Sequence, residues 1–225
     1  MFRSIPKYLL VYCLPGLWLL MAGAVWAEAL SPQLMSDLQG RLADDEKRQA
    51  SLKAGRERAL LCGYCHGEDG NSVKADVPNL AGQNPVYLLQ QINKFAVGER
   101  KDFVMNSLAG KFSAEEQINL AIFYSTQQIK PVKVDQRLAG KGQALYMERC
   151  QTCHGENAHG MAGFARLAGQ KEGYLSMTLR RFRDGNAMRG KINAAKRHSP
   201  EMESVAKGLS DQDIERLAAY LAQLN

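Results

Sequence analysis

Two copies of one five-residue pattern constrain this chain more than any other feature of its sequence. They are Cys62-Gly-Tyr-Cys65-His66 and Cys150-Gln-Thr-Cys153-His154. The pattern C-x-x-C-H is typical of covalent c-type haem attachment. Two thiols on one helical turn can add to the two vinyl groups of a porphyrin, and the histidine that follows is then held beneath the iron. We therefore predict two covalently bound haem c groups, attached through Cys62, Cys65, Cys150 and Cys153.

The similarity of the two halves extends beyond these pentapeptides. Residues 78–83, Pro-Asn-Leu-Ala-Gly-Gln, match residues 165–170, Ala-Arg-Leu-Ala-Gly-Gln, at a shift of 87. Later the shift becomes 97, so that Met105 pairs with Met202 and Ser113 with Ser210. An insertion of ten residues between Gly185 and Met202 would explain the change. The chain is therefore predicted to contain a duplicated domain, at residues 53–128 and 138–225, with a linker at 129–137.

Each copy is predicted to be all-α. Ser210 and Asp213 resemble a helix capping box, and Ile214, Leu217 and Leu221 then recur at helical spacing. No stretch shows the alternation expected of a strand. A copy of roughly 80 to 90 residues is too small to bury a generous core alone, so an attached apolar macrocycle would complete it. Residues 28–52 are predicted to form a charged, helical lead-in with no counterpart in the second half.

Residues 1–27 have the pattern of a secretory signal. Arg3 and Lys7 precede an apolar run from Tyr8 to Ala27, with small residues at its end. The alternative is a retained anchor, since a run of about 20 apolar residues can span a bilayer. Both interpretations predict that the remainder of the chain is exported.

The formal charge of +6 would by itself suggest a nucleic-acid partner. Loss of Arg3 and Lys7 with the leader lowers it to +4, and four haem propionates would offset the rest, so no nucleic-acid role is expected. A local cluster remains, either as a solvated helix face, as a docking surface for an acidic redox partner, or as cover for the propionates. Its members are Arg180, Arg181, Arg183, Arg189, Lys191, Lys196 and Arg197.

The motifs predict His66 and His154 as the proximal iron ligands. A zinc site normally needs four ligands, and a thioredoxin-like dithiol needs a βαβ context; neither requirement is met here. Met105 and Met202 are the candidates for the opposite axial position, because the repeat alignment pairs them. His159 and His198 are alternatives in the second half.

Together, the paired C-x-x-C-H motifs, the Leu-Ala-Gly-Gln loops and the late methionines resemble the di-haem cytochrome c4 family over about residues 53–225. The resemblance implies two tandem class-I cytochrome c domains, each wrapped around one haem and related by a pseudo-twofold axis. It assigns Cys62, Cys65, His66 and Met105 to one haem, and Cys150, Cys153, His154 and Met202 to the other. One departure is Ala165, where the family usually has a proline whose carbonyl accepts a hydrogen bond from the proximal histidine.

The function that the resemblance implies is electron transport rather than catalysis. The family consists of exported bacterial carriers, often held at the membrane, that feed terminal oxidases. We therefore expect a periplasmic respiratory carrier that takes single electrons from a quinol-oxidising complex or dehydrogenase. The alternatives are the cytochrome subunit of a larger dehydrogenase and, less favoured, a di-haem peroxidase-like enzyme, which needs one haem with an open axial site.

Overall fold

The structure, a computed structural model, describes residues 30–131, 134, 136–185 and 197–225. Within these ranges the regular structure is entirely helical, which confirms the predicted all-α fold. The first half contributes α1 (Pro32–Ala43), α2 (Asp45–His66), α3 (Pro85–Ala96), α4 (Phe103–Ala109) and α5 (Ala114–Ser125). The second half contributes α6 (Gln136–Arg149), α7 (Gln151–His154), α8 (Glu172–Asp184), α9 (Pro200–Ala206) and α10 (Asp211–Gln223).

The two halves have separate hydrophobic cores. The first is built on α5, whose buried side chains pack against α1, α2 and α3. The second is built on α10 in the same way, against α6 and α8. Both central helices begin at a capping box: α10 at the predicted box of Ser210 and Asp213, and α5 at the repeat equivalent, Ser113 and Glu116.

The charged lead-in belongs to the first core, which differs from the predicted division after residue 52. Helix α2 begins at Asp45 and continues without a break to His66, while α1 buries Leu34 and Leu38. The buried positions of α2 include Ser51, Gly55 and Ala59, which are small rather than strongly apolar. Because many of the other positions of α2 are charged, its composition alone gives no sign of this packed face.

The predicted leader at residues 1–27 lies outside the described residues. In the parts of the chain that the structure describes, no helix combines the length and the apolar character that crossing a bilayer requires.

A glycine allows the closest helix contact in each half. A Cβ atom added at Gly55 of α2 would overlap the carbonyl oxygen of Asn119 in α5 and lie 2.6 Å from the Cβ atom of Phe123. The equivalent glycine of α6, Gly142, faces the backbone of α10 in the same manner. Because the obstruction is backbone, no side-chain rotation can relieve it. These crossings fix the helices that lead to the two pentapeptides.

We expect Gly142→Ala to lower the free energy of unfolding by about 1–3 kcal/mol, the usual cost of overpacking a tight contact. Gly140→Ala is the matched control, because an added Cβ atom there meets nothing within 4 Å on the same helix. Because alanine favours the helix more than glycine does, Gly140→Ala should stabilise α6 by up to about 1 kcal/mol. Chemical denaturation of both haem-loaded variants measures the difference, and equal midpoints would contradict the close crossing.

Candidate haem sites

Both pentapeptides lie at the end of a helix, and in each case the histidine is the last helical residue. Helix α2 ends at His66 and α7 ends at His154, and each is followed by a glycine. Gly67 and Gly155 have φ values of 79° and 78°, which L-residues with a side chain rarely adopt. The chain therefore turns away directly after each histidine and leaves the imidazole on the last helical turn.

The two imidazoles are held in one orientation by matching hydrogen bonds. His66 Nδ1 lies 2.9 Å from the carbonyl oxygen of Pro78, and His154 Nδ1 lies 2.9 Å from that of Ala165. Since a carbonyl can only accept, Nδ1 carries the proton and Nε2 keeps its lone pair. The alanine at 165 thus preserves the bond that the family usually makes through proline.

The electrostatic surroundings keep both imidazoles neutral. Burial lowers the pKa of His66, and the positive charge of Arg100 adds to this effect. Burial also lowers the pKa of His154. A neutral imidazole with a free Nε2 lone pair is the form that binds iron.

The thiols beside these histidines are not set up as a reactive dithiol. All four are free, and burial raises the pKa of Cys62 and raises that of Cys150 to about 11. A reactive or redox-active pair would have a lowered thiol pKa. This agrees with the preference for thioether attachment over disulfide chemistry.

Met105 and Met202 occupy the same position in equivalent helices. Each is the third residue of a seven-residue helix, α4 or α9, and each is half-buried. The side chain of Asp102 caps the first of these helices and that of Ser199 caps the second. The repeat pairing of the two methionines therefore corresponds to a structural equivalence.

The two alternative histidines have partners of their own. His159 Nε2 lies 2.7 Å from the backbone oxygen of Asn225. His198 Nδ1 lies 2.9 Å from Glu203, and its side chain is 68% exposed. These contacts favour the two methionines as the candidate axial ligands.

Large apolar side chains are exposed in the sequence neighbourhood of the candidate ligands. Tyr64, between the cysteines of the first motif, is 84% exposed, and Phe103, two residues before Met105, is 90% exposed. In the second half Phe164 is exposed, with its ring centroid 6.2 Å from that of His154. A large apolar ring would cover such surface, so the residues present fit a haem in each half.

The Leu-Ala-Gly-Gln loops join the two halves through reciprocal hydrogen bonds. Gln170 accepts from the backbone N–H of Asn79 (2.7 Å) and donates to its carbonyl (2.9 Å). Gln83 makes the same pair of bonds to the backbone of Arg166, at 2.6 Å and 2.8 Å. Gln83 and Gln170 are equivalent residues at a shift of 87, and so are their backbone partners Arg166 and Asn79. A pseudo-twofold arrangement requires this reciprocity.

A second reciprocal contact at this interface involves arginine and tyrosine. Arg100 donates to the hydroxyl of Tyr174 (3.1 Å), and Arg197 donates to the hydroxyls of Tyr87 (3.1 Å) and Tyr174 (2.9 Å). Both guanidinium groups also donate to the side-chain oxygen of Gln91. Tyr87 and Tyr174 are equivalent at a shift of 87. The sequence analysis missed Arg100, although Arg100 pairs with Arg197 at the same shift of 97 as the two methionines.

Each arginine of this contact also stacks on a phenylalanine of its own half. The Arg100 guanidinium lies 4.3 Å from the ring centroid of Phe95, and that of Arg197 lies 5.1 Å from the ring centroid of Phe182. These phenylalanines are equivalent at a shift of 87 as well. The contact is thus built from the same positions on both sides.

Where the structure describes the predicted cationic cluster, two of its arginines form ion pairs and a third is buried. Arg180 pairs with Asp211 and Glu215, and Arg183 pairs with Asp184 and Asp211. Arg197 is 9% exposed and lies at the interface. Arg181 of α8 is half-buried. The other members, at 189, 191 and 196, lie outside the described residues.

Comparisons with known proteins identify similar chains. A family model for cytochrome c matches residues 139–225. Cytochrome c4 of Pseudomonas aeruginosa is 32% identical over 182 residues, which covers 76% of this chain and 88% of that protein. The crystal structure of reduced recombinant cytochrome c4 from Pseudomonas stutzeri is similar with a TM-score of 0.67 at 32% identity, covering 77% of this chain and 98% of that chain.

A further relative bears a different name. The thiosulfate dehydrogenase electron acceptor of Stutzerimonas stutzeri is 28% identical over 217 residues. The alignment covers 88% of this chain and 94% of that protein.

We expect Gln170→Ala to lower the free energy of unfolding by about 1–3 kcal/mol, because the buried backbone N–H and carbonyl of Asn79 lose their partner. Gln128→Ala, at an exposed glutamine of the connecting segment, is the control and should have no measurable effect. Urea denaturation followed by haem absorbance measures both. A Gln170→Ala protein as stable as the control would show that the loop contact contributes nothing.

Proposed function

The chain belongs to the cytochrome c4 family, and we propose that it carries two haem c groups and passes single electrons along a periplasmic respiratory chain. Membership confirms the resemblance that the sequence motifs indicated. The protein is accordingly an electron carrier that binds haem c.

The observation that carries the proposal is the equivalence of the two histidine sites. Each imidazole is buried at the end of a helix, and each donates from Nδ1 to a backbone carbonyl 2.9 Å away. Such a bond fixes the ring and makes Nε2 a better ligand. We assign Cys62, Cys65 and His66 to one haem, and Cys150, Cys153 and His154 to the other.

When bound, haem c supplies one-electron chemistry through its iron. The cysteines would attach it, and the histidines and methionines would ligate its iron. Met105 and Met202 would each supply a thioether, a ligand that raises the reduction potential. This assignment involves no proton transfer and no nucleophile, as expected of a carrier.

The proposed route runs from a quinol-oxidising complex or a dehydrogenase to a terminal oxidase. The leader predicted at residues 1–27 supports export to the periplasm. If the leader is retained, it would also hold the carrier at the membrane.

A second candidate function is that of a dedicated acceptor or cytochrome subunit for a dehydrogenase. It is favoured by the relative named thiosulfate dehydrogenase electron acceptor. Size-exclusion chromatography of gently solubilised native membranes separates the two functions. A free carrier elutes at its own mass, whereas a subunit elutes together with a catalytic chain.

Spectroelectrochemical titration of the haem-loaded protein tests the carrier function. We expect two one-electron transitions and no change of the spectrum on adding cyanide or carbon monoxide, because both axial positions are closed. Rapid binding of either ligand at one haem would contradict the carrier assignment and favour a peroxidase-like enzyme.

We expect Met105→Ala and Met202→Ala each to abolish about half of the far-red charge-transfer absorbance of the ferric protein, because each removes one thioether from iron. The altered haem should also bind carbon monoxide and show a lower potential. Met161→Ala is the control, since that side chain is 67% exposed and has no repeat counterpart among the methionines. If the far-red absorbance is undiminished in Met105→Ala or in Met202→Ala, a residue other than that methionine ligates the haem.

A double change of Cys62 and Cys65 to alanine should reduce the covalent haem content from two per chain to one. The same change at Cys150 and Cys153 should give the same stoichiometry with loss of the other haem. The pyridine haemochrome assay, together with the protein concentration, measures the number of haems per chain. A native ratio of one, or an unchanged ratio in either variant, would refute the proposed pair of attachment sites.

A further inference from the structure

A buried hydroxyl near the first attachment site has no hydrogen-bond partner. It belongs to Tyr124 of α5, which is 2% exposed and is part of the first hydrophobic core. Among the residues that the structure describes, no group forms a regular hydrogen bond with this hydroxyl. A buried hydroxyl without a partner destabilises a folded protein, and native structures retain few of them.

This hydroxyl lies beside the sulfur of Cys62. Cys62 is half-buried and packs against the same core as Tyr124. Burial raises the pKa of Tyr124, and the adjacent sulfur raises it further. Burial also raises the pKa of Cys62, whereas the Tyr124 hydroxyl opposes that effect. The hydroxyl and the thiol are therefore close enough to interact, without forming a regular hydrogen bond.

The second half has no hydroxyl at this position. The equivalent of Tyr124 at a shift of 97 is Leu221, which is buried in the second core. That half has a buried phenol on α6, Tyr146, but its hydroxyl already donates to the carbonyl oxygen of Gly155 (2.5 Å). The fold that the two halves share therefore does not require a hydroxyl at the position of Tyr124.

A glycine makes room for the Tyr124 ring. A Cβ atom added at Gly70 would lie 2.8 Å from Cδ1 of Tyr124. The equivalent residue is Ala158, since the carbonyl of each accepts N–H bonds from the leucine and alanine of its own Leu-Ala-Gly-Gln loop. Ala158 and Leu221 both belong to the second core. The first half thus combines a larger side chain with a glycine, and the second combines a smaller side chain with an alanine.

We propose that the Tyr124 hydroxyl donates a hydrogen bond to the thioether sulfur of Cys62 and thereby raises the reduction potential of the haem attached there, the first haem. This inference rests on the proposed function, because it requires a haem bound through Cys62. Attachment replaces the S–H bond of the cysteine by a second S–C bond, so the sulfur can then only accept. Tyr124 acts through this sulfur as a positioning residue, and the iron keeps the ligands assigned to it.

The direction of the effect follows from the polarity of the hydroxyl. Its hydrogen carries a partial positive charge and faces a sulfur that is bonded to the porphyrin. Because reduction removes one positive charge from the iron, a positive group nearby favours the ferrous state. Burial strengthens this effect, since it excludes the water that would otherwise screen it. The second haem lacks the bond, so only the first haem gains this contribution.

Spectroelectrochemical titration of haem-loaded Tyr124→Phe tests this inference. At a fixed applied potential, the ratio of reduced to oxidised first haem should fall about threefold, as expected for the loss of one hydrogen bond. The second haem should be unchanged. Tyr220→Phe is the matched control, because it removes a hydroxyl from the equivalent of Phe123 in the other half and should change neither haem.

A second variant separates the hydrogen bond from packing. Tyr124→Leu introduces the residue of the second half and should lower the ratio at the first haem by about the same factor as Tyr124→Phe. A fall in Tyr124→Leu that is absent from Tyr124→Phe would overturn the proposal, because the ring and not the hydroxyl would then set the potential.

Resonance Raman spectroscopy identifies the acceptor. The C–S stretching band of the thioethers should change frequency in Tyr124→Phe and should not change in Tyr220→Phe. A lower potential together with an unchanged C–S band would overturn the assignment to sulfur, since the hydroxyl would then act on another part of the haem.

Haem stoichiometry, measured first, separates this inference from the proposed function. A native chain with fewer than two haems refutes the proposed function. Met105→Ala identifies which transition belongs to the first haem. Two haems whose potentials are unchanged in Tyr124→Phe, or are lowered equally, refute the Tyr124 hydrogen bond alone.

Discussion

Each half of the molecule depends on a backbone-to-backbone approach of two helices at a glycine. Gly55 lets α2 approach α5, and Gly142 lets α6 approach α10. Because α2 carries its pentapeptide at its end and α6 leads into α7, the crossing determines where each histidine lies relative to the core. The same central helices accept the Leu-Ala-Gly-Gln loops through N–H bonds from Gly82 and Gly169. One contact thus positions both the attachment site and the interface loop.

The sequence was most informative where short-range chemistry decides the structure. Capping by Ser113 and Ser210, the helical class and the position of both histidines depend on residues within a few places of each other. The bond from His154 to Ala165 was also foreseeable, since every residue has a carbonyl. The equivalence of Met105 and Met202 followed from the repeat because both lie at one position of one helix.

Features that depend on distant partners were less accessible. The lead-in is packed through small residues such as Ser51 and Gly55, which hydrophobic periodicity does not detect. Arg197 was grouped with surface cations because arginine is usually exposed, but two of its partners, Tyr87 and Gln91, belong to the other half of the molecule. The signal that could have separated it was its pairing with Arg100, which lies outside the charged cluster.

The reciprocal loop contact has the geometry of an isologous dimer interface, in which one patch meets its own copy. Gln83 and Gln170 each play both roles that such a patch requires. The segment between α5 and α6 turns this association into an intramolecular one, and Ile129 lies against both Gly82 and Gly169. A short tether of this kind supplies an effective concentration in the millimolar range. Two electron-carrying modules therefore stay in register at any dilution, which separate copies of one module could not achieve.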